Sequence, residues 1–172
     1  MKRLVLFTLL LATVFSASAQ NLRKKYTSTT GEQGSVYFIY PQDGFTCGEL
    51  GSNKELVYDI TYVTFKDSVT YNFTYRNKQA NPVDSVQLRL PSGRTETIVH
   101  ERLFVEPVKS HWAHRISLYI PKPCFRELYA SEQPYEVLLY TPAGVFNYTI
   151  RQNKWNEQRN IVNGVLQVID YN

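Results

Sequence analysis

From Leu56 to Tyr75 the chain repeats with a period of two on either side of a short polar break. Leu56, Tyr58, Ile60 and Tyr62 alternate with Val57, Asp59 and Thr61, and Val69, Tyr71, Phe73 and Tyr75 then alternate with Thr70, Asn72 and Thr74. Successive side chains of a strand point to opposite faces, so this pattern specifies two half-buried strands, each with one greasy and one mainly polar face. A turn at Lys66-Asp67 would set Tyr58 opposite Tyr75, Ile60 opposite Phe73 and Tyr62 opposite Tyr71. Asp59 would then face Thr74, and Thr61 would face Asn72. A one-residue slip would carry the aromatic set into water, so the faces are strongly specified. Lys-Asp is not a favoured two-residue turn pair, and the turn type stays open.

Similar signals recur along the chain. Val36 to Tyr40 is stopped by Pro41 to Gly44, and Val83 to Leu90 turns at Pro91-Ser92-Gly93 into Arg94 to Val105. Ile116, Leu118 and Ile120 alternate up to Pro121, and a second hairpin joins Tyr135–Tyr140 to Val145–Ile150 around Thr141 to Gly144. There Tyr135, Val137 and Leu139 face Ile150, Tyr148 and Phe146. Closely spaced strands of this kind predict a mainly β fold: a single β-sandwich-like or barrel-like domain of antiparallel hairpins with one or two short helices. The helices fall at Cys124–Ala130 and from Asn153 to Asn163. Gly164 reads as the stop of the second, with a last strand at Val165–Asp170. Asn163-Gly164 also carries a hairpin signal, so the tail has two readings.

Met1-Lys2-Arg3, the apolar run Leu4–Phe15 and the small residues Ser16 to Ala19 follow the order of a secretory signal peptide, with the cut between Ala19 and Gln20. The run is shorter than the ~20 residues a membrane-spanning helix needs. Residues 1–19 are therefore expected to be a signal peptide, 20–34 a flexible polar arm and 35–172 the β-rich domain, exported to a periplasmic or extracellular destination. Cleavage would remove two of the 19 basic residues, against 15 acidic ones, and lower the net charge from +4 to +2. That is too little for a nucleic-acid footprint, and no later run has the length and apolarity of a transmembrane segment.

In an oxidising compartment Cys47 and Cys124 are expected to form one disulfide. The other uses are two separate buried thiols, or a thiol nucleophile at Cys47, for which no activating basic neighbour stands nearby in sequence. His100, His111 and His114 form the one group resembling a metal site, but their spacing matches no diagnostic motif and His-Glu-x-x-His is absent. No nucleophile elbow, paired catalytic carboxylates or phosphate-binding glycine loop is present. Trp112, among polar neighbours in an expected loop, is the candidate binding aromatic. Asn72-Phe-Thr74 and Asn147-Tyr-Thr149 match the N-glycosylation triplet inside expected strands.

These features fit an exported, non-catalytic module binding a protein or glycan at the cell envelope, with no cofactor required. One alternative is a small secreted hydrolase using the His100, His111 and His114 region, with or without a metal. Another is a barrel carrying an apolar ligand, because an aromatic strand face lines a cavity as readily as it fills a core.

Overall fold

The structure is a computed structural model that describes residues 22–47 and 54–171. Nine antiparallel strands are formed: β1 (Tyr26–Gly31), β2 (Gly34–Cys47), β3 (Lys54–Val63), β4 (Ser68–Asn77), β5 (Ser85–Arg89), β6 (Thr95–Val108), β7 (His111–Pro121), β8 (Glu136–Thr141) and β9 (Gly144–Ile150). Eight close into a barrel in the order β2-β3-β4-β7-β6-β5-β8-β9 and back to β2, with β1 as an extra strand. The fold is thus the barrel form of the expected mainly β domain.

Closure depends on β2. Its first half pairs with β1 and its end pairs with β9, both along the same edge, while β3 runs along the other. The register of β2 against β3 shifts at Gln42 and again before Phe45, where Pro41 lacks an N–H and Gly44 takes a φ of 111°. Such irregularities bend a strand, here enough to present Phe45 and Thr46 to Ile150 and Thr149. Residues 26–31 of the stretch expected to be a flexible arm are therefore β1. The expected signal peptide lies outside the described residues.

Phe45, Tyr58, Ile60, Tyr71, Phe73, Leu88, Leu118, Leu139 and Tyr148 are buried in the core. An eight-stranded barrel is just wide enough for side chains to fill it. The cavity among Phe45, Leu56, Tyr58, Tyr71, Leu118 and Tyr135 is about 10 Å³, at most the space of one water. The aromatic hairpin faces therefore pack as core around it.

Two helices pack over the barrel end where β3 and β7 finish: α1 (Lys122–Ala130) and α2 (Gln152–Tyr171). Phe125 of α1 meets the rings of Tyr62 and Tyr71. Tyr129 stacks on Trp155 of α2 at 5.2 Å. The buried hydroxyls of Tyr71 and Tyr129 hydrogen-bond to each other, and Tyr135 donates to Tyr71. Tyr58 donates to Gln158 of α2, whose amide donates to the Asp43 carbonyl.

Three expectations change. The first hairpin pairs Tyr58 with Phe73, Asp59 with Asn72 and Ile60 with Tyr71, two residues away from the register that a turn at Lys66-Asp67 implies. Residues 64–67 form the loop instead, with Lys66 N–H bonded to the Val63 carbonyl; the shift is even, so every side chain keeps its face. The tail is one continuous helix, because Trp155, Gln158, Ile161, Val162, Val165 and Leu166 continue a single buried stripe across Gly164. Cys47 and Cys124 are free buried thiols, not a disulfide. Cys47 ends β2 near Tyr148, whereas Cys124 lies on α1 near Arg94, Glu96 and Glu127.

Candidate functional site

Cross-strand pairing turns the alternating sequence into rows. On the inner face one row runs Ile60, Tyr71, Leu118 and another runs Tyr58, Phe73, Ile116. At β6 these rows end in His100, opposite Leu118, and Arg102, opposite Ile116. A third row places Tyr75 opposite His114 and His114 opposite Val105. Two of the three inner-face rows thus end in a basic side chain at β6.

The barrel wall also opens there. β5 accompanies β6 only from Thr95 to Ile98, while β7 accompanies it from Val99 to Val108. Beyond Ile98, β6 and β7 with the end of β4 form a wing that extends past the closed barrel. A bulge at Leu103 changes the face on which later side chains lie, so Phe104 and Glu106 join Val99 and Glu101 on the outer face. Val99, Leu103 and Phe104 are 72%, 46% and 42% exposed.

The connection from β4 to β5 crosses the inner face of the wing. His100 Nε2 lies 3.2 Å from the Val83 carbonyl oxygen, and His114 Nε2 lies 3.0 Å from that of Gln79. A carbonyl only accepts, so each ring donates from Nε2. Between the connection and the sheet is a cleft of about 290 Å³ lined by Pro82, Val83, His100, Arg102, His114 and Ile116. Burial pushes the His114 pKa below that of an ordinary histidine, and the nearby Arg102 charge acts the same way.

The sequence candidates are divided by this arrangement. His100 and His114 share the cleft. His111 lies at the β6–β7 tip, on the face opposite His114, with Nδ1 2.9 Å from Ser110 Oγ. The expected loop His111–His114 is the start of β7, displaced from a loop reading by its ten-residue pairing with β4. Trp112 is half-buried between Asn77 and Pro107 on neighbouring strands. Among the described residues no three His, Cys, Asp or Glu side chains gather as metal ligands, and Arg102 beside the two histidines opposes a cation. Burial also raises the Cys124 thiol pKa, away from thiolate chemistry.

Arg102 escaped sequence reasoning. Its one signal was the His100-x-Arg102 alternation within a strand, and what lay opposite was invisible without the pairing. Both glycosylation triplets have engaged asparagines: Asn72 Nδ2 donates to Asp59 Oδ1 at 2.9 Å and Asn147 Nδ2 to Glu136 Oε2 at 3.1 Å.

No family model, no curated protein and no solved structure matches the chain. What defines it is a closed eight-stranded antiparallel barrel, plugged by two helices at one end and extended by a β6–β7 wing at the other.

Proposed function

We propose that the protein is an exported, non-catalytic binding module that takes an extended segment of a protein partner along the free edge of β6. The observation that carries this reading is the loss of β5 as a neighbour after Ile98. Among the described residues, Val99–Val108 have a strand on one side only. An unpaired edge offers a row of backbone donors and acceptors for an added strand, and natural proteins usually blunt such edges. Val99, Leu103 and Phe104 supply exposed apolar contacts beside it.

The chemistry around the wing supports binding over catalysis, because both cleft histidines hold backbone carbonyls of the β4–β5 connection. The outer barrel wall carries the polar row Asp59, Asn72, Ser117 and Glu101, which does not suit contact with lipid. The Met1–Ala19 pattern supports export, and with it a partner at the cell envelope.

The test is selection from a displayed library of extended peptides, followed by titration of the selected peptides. Binding by wild type that falls at least tenfold in Phe104→Lys, with amide shifts mapping to β6, is the expected result. Peptides that bind both proteins equally, or a library that yields no ligand, would reject the edge as the docking site.

A further inference from the structure

The cleft on the inner face of the wing has its own chemistry, separate from the β6 edge. Its lining divides in two: Pro82, Val83 and Ile116 form an apolar side, and His100, Arg102 and His114 a basic one. No carboxylate is among the lining residues. Glu101, adjacent in sequence to both His100 and Arg102, lies on the other face and accepts a hydrogen bond from Tyr119 at 2.8 Å. Arg115, the next arginine on the wing, is already paired with Asp59. Arg102 is exposed, and the arginine ion pairs among the described residues are made by Arg89, Arg94, Arg115 and Arg126.

We propose that this cleft is a binding site for a small organic acid, its carboxylate held by Arg102 and its short apolar stem packed on Ile116, Val83 and Pro82. A guanidinium presents parallel N–H donors that match a carboxylate, and Arg102 is exposed at the cleft, where an incoming anion can reach it. Both histidines already use Nε2 on the connection, so their rings act as walls and Arg102 is the anion donor. The volume of about 290 Å³ lies at the lower limit of small-molecule pockets and suits a fragment-sized acid. An inorganic oxyanion would leave the apolar side without a contact, so the two-sided lining favours an acid with a hydrocarbon stem.

The experiment uses the mature chain and three probes: butyrate, its neutral isostere butyramide, and inorganic phosphate. Each is titrated while the ring resonances of His100 and His114 and the methyl resonances of Ile116 and Val83 are followed. Butyrate is expected to shift all four and saturate, and butyramide to leave them unmoved. Arg102→Gln, checked for folding by circular dichroism, should weaken butyrate binding about tenfold or more, with partial recovery in Arg102→Lys. Binding unaffected by Arg102→Gln, equal response to butyramide, preference for phosphate, or no shift in the cleft would each overturn the assignment. Phe104→Lys should leave butyrate binding intact, which separates failure of this site from failure of the edge.

Discussion

His114 lies flat on Tyr75, with ring centroids 4.7 Å apart and planes inclined by 16°, while its Nε2 donates to the carbonyl of Gln79. One imidazole therefore ties the inner wall of the barrel to the connection that crosses its mouth. The groups that bear on its charge are Arg102, Tyr75 and the Gln79 carbonyl. Burial lowers its folded pKa, the hydrogen bond to Gln79 works against this, Arg102 adds to it, and the net direction is down. The unfolded state, with a pKa near ~6.5, takes up the proton first as pH falls. The stabilisation from neutral His114 is thus present above about pH 6.5 and is lost as pH falls through its lower folded pKa. Wild type should lose thermal stability between about pH 7 and 5 more steeply than His114→Gln, whose amide can still donate to Gln79. Parallel slopes in the two proteins would remove His114 from this role.

On the outer wall, Arg115 bonds Asp59 and donates to Thr74 Oγ1 at 3.0 Å, and Ser117 donates to Asn72 Oδ1 at 2.6 Å. The two members of the ion pair are unequally buried, with side chains 27% exposed for Arg115 and 5% for Asp59. Removing Arg115 leaves a carboxylate largely shielded from water, whereas removing Asp59 leaves a guanidinium that water still reaches. Arg115→Ala should cost about 2–3 kcal/mol and Asp59→Ala about 1–2 kcal/mol in urea unfolding. A double-mutant cycle should return a coupling well above that of an exposed pair. The reverse order of costs would mean that the asymmetry of burial does not govern this pair.

The faces of the strands were legible from alternation alone, and the second hairpin also in register, because its turn residues left little choice. The first hairpin kept its faces but moved by two, since Lys66-Asp67 does not define a turn strongly. Closure of the barrel was not legible: it depends on β2 bending at Pro41 and Gly44 to reach β9, a contact between distant parts of the chain. The cleft was half legible. His100 and His114 stood out as residue types, yet Arg102 joined them only when pairing with β7 placed it on the inner face, and Trp112 is not part of the lining. Gly164 misled because a glycine after a helical stripe usually ends it, while here the stripe resumes at Val165.

The tyrosines at the helix-capped end predict behaviour in alkali. Tyr58, Tyr71 and Tyr129 have pKa values driven well up by burial, and burial pushes that of Tyr135 up to about 12. Unfolded tyrosines ionise near ~10. A folded pKa above the unfolded value gives stabilisation that is complete below about pH 10 and is lost as pH rises toward the folded values. Ionisation of the buried phenols should therefore appear in tyrosinate absorbance as a cooperative phase coincident with loss of the far-ultraviolet signal. Smooth ionisation of all tyrosines while the fold persists would contradict the buried hydroxyl network. Tyr71→Phe should stay folded and lose about 1 kcal/mol at neutral pH, because it removes one member of that network.

Gly164 sits in the middle of α2 facing Leu22, where an added Cβ would lie 2.9 Å from Leu22 Cδ2 and 3.1 Å from Cδ1. The glycine therefore serves close approach of the chain ahead of β1, at a helix-propensity cost of about 1 kcal/mol relative to alanine. The obstructing atoms are the end of a flexible side chain, so Leu22 can turn aside while losing part of its packing. Gly164→Ala alone should change stability by no more than about 0.5 kcal/mol, the helix gain offset by the displaced leucine. In a Leu22→Ala background the obstruction is gone, and Gly164→Ala should stabilise by about 1 kcal/mol. Thermal unfolding of the four proteins measures both steps. A loss in the Leu22→Ala background would mean that something other than Leu22 requires the glycine, whereas the expected gain would establish that the helix runs through this position and that the contact alone holds alanine out.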